Sequence, residues 1–139
     1  MSAAGSAAEA PERGEPEGLR LPRSSRIRSA REIRDLHARG KRKRTPHLDV
    51  FFAASPASHS RLGVVVPKHR RRIVDRNRLR RRLREIGRTE LLPRLRRDER
   101  ALDVLIRARP EAYEARFADL QRELVALVDD VEGRWLDGS

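Results

Sequence analysis

A chain of 139 residues with 33 Lys and Arg against 21 Asp and Glu has room for one domain with a small core and carries a formal charge of +12. So large a charge repels itself in a compact state, which points to a polyanionic partner, nucleic acid first and an anionic membrane surface second. The absence of cysteine excludes disulfides and thiolate zinc sites. No stretch approaches the ~18 apolar residues of a spanning helix, and the N-terminus lacks the apolar core of a secretory signal, so a cytoplasmic protein is expected.

Residues 1–25 are rich in Ala, Gly, Ser, Pro and Glu, and Glu9, Glu12, Glu15 and Glu17 set their charge apart from that of the basic segments further along the chain. With so few large apolar side chains they cannot offset the entropy of ordering, which predicts a disordered tail. One domain is expected over 26–132, with a short C-terminal tail over 133–139. Ser29 and Glu32 have capping-box spacing. Ile33 and Leu36 then share a face with His37 beside them, and Gly40 stands where a left-handed C-cap belongs. This predicts a helix over 29–39.

After the basic run Lys41–Arg44 the period becomes two. Leu48, Val50 and Phe52 point one way, and Asp49 and Phe51 the other, as in a strand. Residues 55–60 read as a loop, and Leu62–Val66 as a partner strand ended by Pro67. From Lys68 to Arg84 most side chains are cationic. On a helix, Leu79, Leu83 and Ile86 form one apolar stripe, with Asn77, Arg80, Arg81 and Arg84 on the opposite side. Gly87 is expected to end this helix, leaving an irregular segment to about 101 that contains Pro93. Asp103–Arg109 reads as a strand. Tyr113, Phe117, Leu120, Leu124, Leu127, Val128 and Val131 then repeat at helical spacing. The element order predicts an α+β or α/β sandwich with helices covering one face of a small sheet.

Catalytic signals are missing. His37, His47, His59 and His69 lack metal-ligand spacing, and Asp49, Asp75, Asp98 and Asp103 are too scattered to force convergence on an ion. A Gly-rich phosphate loop and a Gly-x-Ser-x-Gly elbow are both absent. No catalytic residue and no metal or cofactor site is therefore expected. The chain offers arginine, whose planar fork binds phosphate bidentately and stacks on bases. A ribosomal protein or RNA chaperone explains the charge equally well. A major-groove DNA binder usually needs a dimer seam or helix pair, and a membrane helix needs a wider apolar stripe.

The segment Arg61-Leu62-Gly63-Val64-Val65-Val66-Pro67-Lys68, followed by Val74-Asp75-Arg76-Asn77-Arg78-Leu79-Arg80-Arg81-Arg82-Leu83-Arg84-Glu85, resembles the signature of the ribonuclease P protein component. The likeness runs in order over about residues 26–130. It implies three layers, a four-stranded sheet with three helices in the order αβββαβα, and a left-handed βαβ crossover, as in the second domain of a small-subunit ribosomal protein. In that family the RNA subunit hydrolyses the phosphodiester with bound Mg²⁺. The protein, a monomer within the ribonucleoprotein, binds that RNA and the 5′ leader of precursor tRNA.

Carried over by position, Lys68, Arg76, Asn77, Arg78, Arg80, Arg81 and Arg84 are the expected RNA-binding residues. A leader cleft between the first helix and the sheet would involve Ile33, His37, Phe51 or Phe52, and Val65. Three departures stand out. Ile33 and His37 occupy places where the family often has phenylalanines. Arg71 and Ile73 stand where it usually has Gly and Ala, so the loop must take a conformation open to Arg. Gly87 replaces a common Phe.

Overall fold

In the computed structural model, which describes residues 23–27, 29–97 and 101–136, helix α1 (Ala30–Arg39) leads into β1 (Lys41–Arg44), β2 (Leu48–Ala54) and β3 (Arg61–Val65). Helix α2 (Ile73–Ile86) continues through a π-helical turn (Gly87–Leu91) into α3 (Leu92–Arg97). Strand β4 (Leu102–Ala108), a 3-10 turn (Pro110–Glu114) and α4 (Phe117–Leu136) complete the chain. The strands form one mixed sheet in the order β1-β2-β4-β3, with β3 parallel to β4 and the other neighbours antiparallel. Counting the α2–α3 rod once, this is a four-stranded α+β sandwich with three helices, in the expected order αβββαβα. The rod is the crossover between the two parallel strands.

Strand alternation divides the core. Leu48, Val50 and Phe52 of β2 and Val104 and Ile106 of β4 pack with Leu79, Leu83, Leu120 and Leu124 of the helices. Phe51, Ala53 and Leu105 face the other way, onto Leu36 of α1 and Ile27. Helices therefore cover both faces of the sheet, not the one face that element order suggests. The physical reason is that β2 and β4 are apolar on both sides, so α1 has a platform of its own for Leu36 and Ile33.

The basic run Lys41–Arg44 is an edge strand paired in full with Phe52–Asp49. A lysine- and arginine-rich edge discourages pairing with other chains. The domain also starts before residue 26: Arg23–Ser25 form a 3-10 turn, and Ser25 is buried and accepts a hydrogen bond from Arg96 at 3.1 Å. The expectation of disorder for residues 1–22 lies outside the described residues. At the other end α4 runs past residue 132 to Leu136.

Gly40 and Gly87 act differently from the sequence expectation. Gly40 is extended (φ −73°, ψ 152°), and a Cβ there would lie 2.5 Å from the Leu36 carbonyl oxygen. Its lack of a side chain permits close approach, not a left-handed turn. Gly87 is helical (φ −59°, ψ −44°) and ends nothing. A Cβ at Gly87 would stand 2.1 Å from Cδ2 of Leu62, so glycine lets the rod touch β3. The wider π turn then carries the chain into α3, where Pro93, in the first turn, has no N–H to place. The final stripe also shortens: Tyr113 sits in the 3-10 turn, and Phe117 is 38% exposed at the start of α4.

These two roles for Gly87 predict opposite signs. Were it only a helix residue, Gly87→Ala would stabilise by about 1 kcal/mol through propensity. Overpacking against the buried Leu62 is expected to win, with a net loss of about 1–3 kcal/mol in urea unfolding. Pairing it with Leu62→Ala should recover part of the loss.

Candidate RNA interface

Helix α1 is fixed to the sheet by charge as well as by Leu36. Arg61 of β3 donates from Nε and Nη2 to Asp103 of β4 at 3.0 and 2.7 Å, and its Nη1 reaches Glu32 of α1 at 2.8 Å. The Asp103 hydrogen bonds, against an opposing effect of burial and with help from Glu32, raise the Arg61 pKa above its ordinary value. Only half of the expected capping box forms. Ser29 Oγ accepts from the Glu32 N–H at 3.3 Å, while the Glu32 carboxylate turns to Arg61 instead.

Beside that anchor a groove of about 380 Å³ lies between α1 and the sheet, lined by Ile33, Arg34, His37, Ala38, Val65, Leu105 and Arg107. Of the residues expected in a cleft, Ile33, His37 and Val65 line it. Phe51 lies against it, its ring centroid 4.4 Å from that of His37. Phe52 does not belong there. It is the next residue on a strand, points to the opposite face and is buried against the α2 and α4 side. Sequence reasoning missed Arg34, Ala38, Leu105 and Arg107. Period two within Asp103, Leu105 and Arg107 carried the signal for β4, hidden by the apolar run between them.

On α2, Arg80 and Arg81 stand three and four residues after Asn77, and Arg84 stands four and three residues after them, so the four form one stripe. Asn77, Arg81 and Arg84 are exposed, and Arg80 is half-buried, donating to Asn77 Oδ1 at 2.7 Å. Crowding by the protein, then the charges of Arg26 and Arg80, push the Arg84 pKa below its ordinary value. A bound anion would relieve that repulsion.

The other expected cations lie elsewhere. Arg78 joins Arg71, Asp75, Arg82 and Tyr113 around a smaller hollow on the other flank of α2. Arg76 is half-buried beside the apolar stripe, and its Nε is buried without a hydrogen-bond partner. Lys68 is exposed at the start of the β3–α2 turn. That turn closes with Arg71 N–H on the Lys68 carbonyl at 2.8 Å. Its left-handed residues are His69 (φ 45°) and Arg70 (φ 62°), so the strain falls there and not at Arg71. Arg71 sits 4.8 Å over the Tyr113 ring and pairs with Glu114 at 2.6 Å, while the Tyr113 hydroxyl donates to the Pro67 carbonyl at 3.0 Å.

The carboxylates near both surfaces are already engaged. Arg42 and Arg44 hold Asp49, Arg39 holds Asp35, Arg72 holds Asp75 and Arg88 holds Glu85. Burial works to raise the Asp49 pKa, but the hydrogen bonds and charges of Arg42 and Arg44 outweigh it and the net shift is downward. Arg34, Arg81 and Arg84 are left facing solvent without carboxylate partners among the described residues. The stripe and the groove meet at the β3 edge. Ile33 lines both the groove and a hollow of about 190 Å³ that Arg84, Arg26 and Val64 also line.

A sandwich that keeps arginine unneutralised along one helix and over an apolar groove is an RNA-binding protein of the ribonucleoprotein kind. The family model described as Ribonuclease P matches residues 21–132. The chain is 36% identical over 109 residues to the ribonuclease P protein component of Syntrophobacter fumaroxidans, covering 78% of this chain and 89% of that one. With the protein component of Syntrophus aciditrophicus identity is 32% over 112 residues, covering 79% and 89%. The ribonuclease P protein from Thermotoga maritima superposes with a TM-score of 0.60 at 25% identity, covering 74% of this chain and 94% of that one. The Staphylococcus aureus protein has the same fold, with a TM-score of 0.63 at 22% identity over 77% and 94%. This chain belongs to the ribonuclease P protein component family.

The Arg61 anchor is testable apart from any RNA. Arg61→Met leaves Asp103 buried without its partner and is expected to cost about 3 kcal/mol in urea unfolding. Arg61→Met with Asp103→Leu should recover most of that, because the uncompensated charge is gone.

Proposed function

We propose that this chain is the protein subunit of a ribonuclease P ribonucleoprotein, binding the catalytic RNA through α2 and the 5′ leader of precursor tRNA through the groove beneath α1. The observation that carries this reading is the meeting of an unneutralised arginine stripe with an apolar groove at the β3 edge, through Ile33. Asn77, Arg80, Arg81 and Arg84 form the principal RNA contact, flanked by Lys68, Arg76 and Arg78. Ile33, His37, Phe51 and Val65 belong to the leader cleft.

Such a surface reads backbone and shape, since a guanidinium row meets phosphates whatever the sequence. It supports a division of labour in which no protein side chain cuts RNA. Phosphodiester hydrolysis belongs to the RNA subunit with its Mg²⁺. The protein, a cytoplasmic monomer within the complex, lowers the repulsion between catalytic RNA and substrate that Mg²⁺ would otherwise have to screen. Among the described residues no helix is long and apolar enough to cross a membrane.

Reconstitution tests this. The protein alone should leave precursor tRNA intact, and with the catalytic RNA it should raise leader cleavage most at low Mg²⁺. Arg81→Ala with Arg84→Ala should weaken binding to the catalytic RNA and flatten its salt dependence by about one unit per lost contact. Robust cleavage by the RNA-free protein, or an unchanged salt slope in the variant, contradicts the reading.

A further inference from the structure

The groove has one wall whose charge has no carboxylate counterpart among the described residues. Arg107 of β4 lies opposite Asp49 of β2, yet Asp49 is held by Arg42 at 3.1 Å and Arg44 at 3.3 Å. The carboxylates of α1 are engaged as well, Glu32 by Arg61 and Asp35 by Arg39. Among the described residues, the polar contact that Arg107 makes is with His37, to whose Nε2 it donates from Nη1 at 3.0 Å.

A guanidinium has only donors, so His37 must present a lone pair at Nε2. The ring that meets Arg107 is therefore neutral: it orients the cation and leaves its charge intact. The His37 ring is itself braced against Phe51, at 4.4 Å and 33°. Beside this wall the lining is apolar, with Ile33, Val65 and Leu105. An apolar floor with an oriented, unneutralised fork matches one chemistry closely. A single-stranded nucleotide offers an aromatic face and a phosphodiester within one repeat.

We propose that Arg107, positioned by the neutral ring of His37, is the phosphate-binding group of this groove, gripping a backbone phosphodiester of the leader while a base lies on the Ile33–Val65 floor. The assignment rests on the leader-binding reading and adds to it the residue that meets the charge. His37 is a positioning residue that acts through Arg107.

The test uses the ribonucleoprotein reconstituted with the catalytic RNA and two substrates, one with a leader of several nucleotides and one with a single leader nucleotide. Arg107→Ala is expected to lower affinity for the long leader roughly tenfold, with a much smaller loss for the short one. Its salt slope on the long leader should fall by about one. His37→Phe keeps a ring against Phe51 but offers no acceptor, and should weaken the long leader in the same direction. His37→Gln restores an acceptor and should recover part of that loss. In the Arg107→Ala background neither change should matter.

Equal losses for the two substrates, or indistinguishable Phe and Gln variants, would overturn the assignment. A wild-type complex that favours the long leader, with Arg107→Ala unchanged, overturns this assignment alone. A wild-type complex indifferent to leader length overturns the leader-binding reading and this assignment with it.

Discussion

The arginine held between β3, β4 and α1 decides what the rest of that face can be. Arg61 bridges Asp103 of the sheet and Glu32 in the first turn of α1, so the helix is pinned near the Asp103 end of β4. Arg107 lies four residues further along the same strand, roughly 13 Å away at ordinary strand rise. The groove opens in that interval. A buried ion pair is weak evidence of net stability, because desolvation offsets most of its attraction. Its value here is positional. Leu36 gives α1 its apolar attachment, and Arg61 selects where on the apolar platform the helix sits.

The same arithmetic of pairs explains where RNA can bind. Cations exceed carboxylates, and the acids beside the working surfaces are held by arginines that do not line the groove or the α2 stripe: Arg61, Arg39, Arg42, Arg44, Arg72 and Arg88. Unneutralised charge lines two neighbouring surfaces, the stripe of α2 and the wall of the groove. Leu79, Leu83 and Ile86 hold the stripe outward by burying the opposite side of its helix. Gly87 then lets the rod lie directly on Leu62 of β3, so the stripe ends beside the groove.

Much of this was legible in the sequence because it depends on periodicity. The stripe of Leu79, Leu83 and Ile86, the alternation of β2 and the cap at Ser29 are local patterns, and each formed where spacing placed it. The features that stayed hidden depend on contacts between distant residues. Gly87 reads as a helix stop and Gly40 as a left-handed cap because glycine usually permits such turns; α1 does end at Gly40, but both glycines make room for a neighbouring atom, which no local pattern reveals. Alternation separates Phe51 from Phe52, and only the packing of α1 assigns one to the groove and the other to the larger core. Arg107 was concealed at the end of an apolar run. Its partner His37 lies 70 residues away in the chain.

The proposed division into two RNA surfaces can be examined most directly by tethered cleavage, since a chain without cysteine accepts a single reactive thiol cleanly. An iron chelate attached through Ala38→Cys, on the groove, and through Arg81→Cys, on the stripe, would mark the RNA within reach of each position in the reconstituted complex. The groove tether is expected to cut the 5′ leader and the helix tether the catalytic RNA. Cleavage of the leader from position 81 but not from 38, or of neither RNA from either position, would contradict the account.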